Sequence, residues 1–75
     1  MAKTISVERA GFETKWTWSS DRREVNVDVF LDGECVMEWA YPRVPGHASI
    51  AANANFWAGQ AVRQALAECT KQKDA

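Results

Sequence analysis

Seventy-five residues, 47% hydrophobic and 25% charged, describe one globular domain with a single core and exclude a disordered chain. Nine Lys and Arg stand against ten Asp and Glu, a formal charge of −1, which excludes a nucleic-acid binder that depends on bulk positive charge but not one with a local basic patch. No apolar run approaches the roughly 18 residues of a membrane span, residues 1–7 lack the apolar segment of a signal peptide, and a cytoplasmic setting is expected.

Residues 1–41 read as strands. Ile5 and Val7 alternate with polar neighbours, predicting an edge strand over 4–9, and Ala10-Gly11 then interrupts the phase as a tight turn or a bulge. Phe12, Trp16 and Trp18, with Thr14 between them, mark a strand over 12–18. A loop at Ser20-Asp21-Arg22-Arg23 sets Trp18 opposite Val25 and Trp16 opposite Val27, with Lys15 opposite Asp28 on the solvent face. Val25, Val27, Val29 and Leu31 alternate with Glu24, Asn26, Asp28 and Phe30, the period-2 pattern of a half-buried strand over 24–31. Asp32-Gly33 supplies a turn, and Cys35, Met37, Trp39 and Tyr41 form an inward row on a strand over 35–41. A two-residue turn would pair Val29 with Val36. Pairing Val29 with Met37 and Val27 with Trp39 keeps both apolar rows on one face, so a loop of three or five residues is expected.

Residues 42–47 leave the sheet, with Pro45-Gly46 suited to the centre of a type II turn. Ser49 is a candidate N-cap, and helical spacing runs over 49–70. Ile50, Ala54, Trp57, Ala58, Ala61, Val62, Ala65, Leu66 and Cys69 fall in one broad sector, with Gln60, Arg63, Gln64 and Ala67 facing away. The alanines allow close approach to a sheet crowded with Trp and Val, and a packed face of this length outweighs the roughly 1 kcal/mol by which Gly59 weakens a helix. Residues 71–75 read as a polar tail. The expected fold is α+β: one domain over 1–75, a three- to four-stranded antiparallel β-meander with one C-terminal helix packed on one face.

Trp16, Trp18, Trp39 and Trp57 all fall on inward faces and are read as core, because the helix must cover the face that a base-stacking platform would leave open. Cys35 and Cys69 lie on apolar faces and read as reduced core thiols; a bridge between them would demand a geometry that spacing does not supply. No second ligand pair stands at zinc spacing, His47 has no nucleophile or orienting carboxylate beside it, and no Gly-rich phosphate loop is present. A non-enzymatic protein without cofactor or metal is expected.

The most unusual polar feature is acidic. From Glu24 to Glu38 the chain carries Glu24, Asp28, Asp32, Glu34 and Glu38 with no Lys or Arg. Glu24, Asp28 and Glu38 share the outward face, while Asp32 and Glu34 crown the turn. Phe30 and Val36 lie outward among these acids as cross-strand neighbours, and Phe56 falls on the polar side of the helix, so apolar anchors rimmed by orienting charges are expected to bind the basic surface of a larger protein complex. A homodimer through the open sheet face or an edge strand would use the same residues. The alternative is a small nucleic-acid-binding domain, with Arg9, Lys15, Arg22, Arg23 and Arg43 as a basic cluster at one end of the sheet.

The run Glu24-Val25-Asn26-Val27 through Asp32-Gly33, Pro45-Gly46 and the Ala-rich stretch Ala48 to Ala67 resembles some small phage-encoded anti-CRISPR proteins that act on type I surveillance complexes. The likeness covers residues 24–67 and leaves the first two strands unmatched. It implies a non-enzymatic inhibitor that binds a Cas protein or complex and blocks DNA recognition, and it transfers no site residue.

Overall fold

Paired positive-φ residues shape the first and third turns. Ala10 and Gly11 have φ of 54° and 84°, and Asp32 and Gly33 have 53° and 83°, the geometry of two-residue hairpin turns whose twist matches that of the flanking strands. In the computed structural model, which describes residues 4–74, with side chains described for 4–68, these turns join β1 (Ile5–Arg9) to β2 (Phe12–Trp18) and β3 (Glu24–Leu31) to β4 (Glu34–Pro42). The four strands form one antiparallel sheet in the order β1-β2-β3-β4. One helix, α1 (Ile50–Asp74), follows and contacts every strand. The expected α+β meander with a C-terminal helix is the fold observed, with four strands. The helix runs on to Asp74, taking in residues 71–74 of the stretch expected as a polar tail.

The β2–β3 register is as expected, with Trp18 opposite Val25, Trp16 opposite Val27 and Lys15 opposite Asp28. The connecting loop is closed by its own polar groups. The Asp21 carboxylate accepts from the Arg23 N–H at 3.0 Å and the Ser19 hydroxyl at 2.8 Å. These bonds, the backbone one first, hold its carboxyl below the usual range.

The β3–β4 hairpin corrects the expected loop length. The turn has two residues, yet Val29 pairs with Met37 and Val27 with Trp39, because the register shifts after Val29, where Phe30 pairs with Cys35 and leaves Val36 as the extra residue of a bulge. The bulge moves two side chains from their expected places. Cys35 faces solvent opposite Phe30 as a free thiol, and Val36 packs partly against the core instead of standing beside Phe30, while Glu34 stays at the turn as expected, opposite core-packed Leu31. The side chain of Cys69 lies outside the described residues.

Leaving the sheet, the His47 N–H donates to the Val44 carbonyl at 3.0 Å across Gly46 at φ 83°, the expected Pro-Gly turn. Ser49 caps the helix by accepting from the Ala52 N–H at 3.1 Å. Asn53, unremarked in the sequence, ties both ends of this connection together. Fully buried, it accepts from the Val44 N–H at 2.8 Å and donates to the carbonyls of Ser49 at 2.8 Å and His47 at 3.0 Å. Asn53→Ala leaves the buried Val44 donor unpaired and is expected to lower unfolding free energy by about 2–3 kcal/mol in a denaturant titration.

The core lies between the inner sheet face and the small-residue stripe of α1. Phe12, Trp16, Val25, Val27, Val29, Met37 and Tyr41 meet Ile50, Ala54, Ala58, Ala61, Val62 and Ala65. Thr14 is fully buried but satisfied: its hydroxyl donates to the Val7 carbonyl at 2.7 Å and accepts from the Trp16 indole N–H at 2.7 Å. The tryptophans divide. Trp16 is wholly buried, Trp18 and Trp57 are half-buried, and Trp39, although in the inward row, is 53% exposed because β4 is an edge strand that the helix only partly covers. Leu66, expected inward, is half-exposed at the margin of the stripe.

Tyr41 links sheet to helix. Its ring stacks on Trp57 at 4.7 Å with an 11° interplanar angle, and its hydroxyl donates to Gln64 Oε1 at 2.7 Å, giving a role to a glutamine expected to face away. Burial raises the phenol above its usual value of 10.0. The folded state therefore holds its proton where the unfolded state has released it. Stability is complete below that value and falls as pH rises from there towards the folded value, and Tyr41→Phe should flatten this alkaline limb of a melting-temperature profile.

Candidate protein-binding face

The helix covers one side of the sheet and leaves the other open. The strand registers place the open-face side chains in rows: Ser6, Lys15, Asp28 and Glu38 across the middle; Glu8, Glu13, Phe30 and Cys35 on the side of the two-residue turns; Thr17, Asn26 and Ala40 on the other, with Glu24 opposite Pro42 at the margin. Glu24, Asp28, Phe30 and Glu38 thus share one surface as expected, and Glu8 and Glu13 join them from β1 and β2. Among the described residues, the face carries five carboxylates and one cation, Lys15.

Like charges are set directly against each other. Glu8 pairs with Glu13 and Asp28 with Glu38, an arrangement that destabilises a sheet. The relief is partial: the Ser6 hydroxyl donates to Glu13 Oε2 at 3.1 Å. Lys15, cross-strand from Asp28, holds its ammonium 5.1 Å from the centroid of the half-buried Phe30 ring. Phe30 is therefore an aromatic centre topped by the one cation and surrounded by acids. Such a surface offers hydrogen-bond acceptors and negative potential around an apolar spot.

The other expected contact residues lie elsewhere. Glu34 stands at the turn with Leu31, and Val36 belongs to the bulge. Phe56 is 56% exposed on the helix, edge-on to His47 at 5.9 Å and to Trp57 at 5.0 Å, on the side of the sheet away from the open face. Glu8 and Glu13 lie outside the acidic hairpin in sequence and reach its face only through the β1–β2 and β2–β3 registers. A two-residue turn at Ala10-Gly11, combined with the inward phase of Thr14 and Trp16, would have put both on the outer face.

Of the basic residues expected to cluster, Arg22, Arg23 and Arg43 lie together and Arg9 and Lys15 lie apart. Arg9 ends β1 at the first hairpin, near Gly59 of the helix, whereas Arg22 and Arg23 occupy the β2–β3 loop at the opposite end of the sheet. Arg43 joins that loop through its N–H, 3.0 Å from the Arg23 carbonyl, with its guanidinium 5.8 Å from the Trp18 ring centroid. Lys15 sits in the middle of the open face.

Among the described residues, no three of His, Cys, Asp and Glu are placed to hold a metal ion together. No described helix is long and apolar enough to cross a membrane. Neither a family model, a curated protein nor a solved structure matches this chain.

Proposed function

We propose that this domain is a small non-enzymatic binding module that docks its acidic open sheet face on the basic surface of a larger nucleic-acid-handling complex and blocks access of nucleic acid there. This is the mode of action implied by the resemblance to phage-encoded anti-CRISPR proteins. The observation that carries the reading is the acidic excess of the open face: five carboxylates with one lysine among the described residues, in a chain whose formal charge is only −1. Two like-charge pairs stand directly opposite one another although either member could have been neutral. Local conflicts of this kind concentrate where a surface serves something outside the fold.

In such a complex the carboxylates steer and orient a Lys- and Arg-rich surface, while Phe30 supplies the apolar centre of the contact. Lys15 is held over the ring and keeps part of the aromatic face covered until a partner displaces it. The test is capture on the immobilised domain from nuclease-treated bacterial lysate. A stoichiometric protein that binds at low salt, elutes as salt rises and is displaced by added nucleic acid supports the reading. A catch that disappears with nuclease treatment overturns it in favour of direct nucleic-acid binding, with Arg22, Arg23 and Arg43 as the residues to change.

A further inference from the structure

Of the two edge strands, β1 is short, whereas β4 is the longest strand of the sheet and presents an exposed tryptophan. The Arg43 N–H donates to the Arg23 carbonyl at 3.0 Å, so this cross-strand pair is hydrogen-bonded. Antiparallel ladders alternate, and the same register makes Val25 with Tyr41, Val27 with Trp39 and Val29 with Met37 the bonded pairs. The N–H and C=O groups of Glu38 and Ala40 consequently point away from β3 towards the free edge.

That edge is closed on both sides of these two residues. The bulge at Val36 disrupts the ladder towards the turn. At the other end Pro42 has no N–H, and its carbonyl accepts from the Trp57 indole at 3.0 Å. The open stretch is therefore Glu38-Trp39-Ala40, with Trp39 at its centre, 53% exposed and bordering a groove lined by Val36, Met37, Gln64 and Glu68.

We infer that the β4 edge pairs with the β4 edge of a second copy, antiparallel about a twofold axis through Trp39, joining two sheets into one of eight strands. In this register the Glu38 N–H meets the carbonyl of the partner's Ala40, and the Ala40 N–H meets the carbonyl of the partner's Glu38; the same two bonds form in reverse. The two Trp39 residues face each other as a non-bonded pair, the closer spacing of an antiparallel ladder and the one in which cross-strand aromatics interact best.

Charge favours this register. Each Glu38 stands opposite an alanine, and the acidic turn end at Glu34 runs towards Arg43 of the other copy. Moving the axis to Glu38 would set two glutamates face to face, and moving it to Ala40 would require a donor from Pro42. A self-complementary stretch of this kind fits a second copy of the chain better than an unrelated strand. The pairing is independent of the proposed role of the open face, but it would double that face. It brings two acidic surfaces together, so salt should strengthen it while weakening attachment to a basic partner.

The experiment is sedimentation equilibrium of the full chain in reductant, which silences the exposed Cys35, from micromolar to millimolar concentration at low and high salt. The expected result is a concentration-dependent rise towards twice the chain mass, shifted to lower concentration by salt. Ala40→Pro removes an edge donor that the intrachain ladder does not use, and Trp39→Lys removes the aromatic contact without touching the buried core; both should stay monomeric with unchanged circular dichroism. If Ala40→Pro does not fold, Trp39→Lys carries the test. A wild-type chain that remains monomeric throughout overturns the inference. So does a dimer that survives Trp39→Lys, or one lost on changing Phe30 but kept in Ala40→Pro.

Discussion

Trp16→Ala is expected to lower the unfolding free energy by about 3–5 kcal/mol, whereas Trp39→Ala leaves stability almost unchanged. Trp16 is fully buried beneath the alanine stripe of α1, and its indole N–H bonds to Thr14 inside the core. Truncating such a side chain removes about 3–5 kcal/mol through lost burial and the cavity left behind. Thr14 also loses a bonding partner in a place water does not reach. A domain of this size has roughly 4–11 kcal/mol in total, taking ~0.05–0.15 kcal/mol per residue, so one substitution removes a large share of it. Trp39 is more than half exposed, and its truncation should fall within about 0.5 kcal/mol of wild type. Urea denaturation of the two variants side by side separates them, and equal losses would mean that the helix lies across β4 differently from the position described.

The second large effect concerns binding and has the opposite sign for stability. Replacing Glu13 and Glu38 together by Lys converts both like-charge pairs, Glu8 with Glu13 and Asp28 with Glu38, into opposite-charge pairs. Each conversion should stabilise the sheet by roughly 0.2–1 kcal/mol, less the exposed hydrogen bond from Ser6 to Glu13. The open face, counted as five carboxylates less one lysine, changes from −4 to three carboxylates less three lysines, or zero. Attachment to a basic partner should weaken on the order of a hundredfold and lose its steep salt dependence. A variant that folds better and binds worse identifies a surface shaped for something other than its own fold. Equal affinity of wild type and variant would remove the open face as the binding surface.

Periodicity made the architecture readable. The β3 valines, the β2 aromatics and the switch from period 2 to helical spacing after Pro45-Gly46 place β2, β3, β4, the helix and the β2–β3 register correctly, because each is dictated by which side chains must leave water, and leave the strand count at three or four. Asp32-Gly33 and the pairing of Val29 with Met37 looked incompatible, and a bulge reconciles them by absorbing one residue within the strand instead of the loop. A bulge has no local sequence mark here, so Cys35 and Val36 exchanged environments unforeseen. Trp39 was placed on the correct face, but face is not burial: an edge strand exposes what a central strand hides. Asn53 and Gln64 were hidden for another reason. Their roles depend on the Val44 N–H and the Tyr41 hydroxyl, groups that only the tertiary fold brings near. The acidic face was half visible, since its β3 and β4 members lie in one hairpin and Glu8 and Glu13 reach it only through sheet register.

Zero-length carbodiimide cross-linking of the captured complex, read by peptide mass spectrometry, tests the central claim most directly, because it joins a carboxylate only to an amine it already touches. Docking through the open face predicts cross-links from Glu13, Asp28 and Glu38 to lysines of the partner, suppressed at high salt, with the exposed carboxylates Asp21 and Asp32 unlinked. Cross-links confined to Asp21, Asp32 or Glu34, with the open-face carboxylates unmodified by the partner, would contradict it.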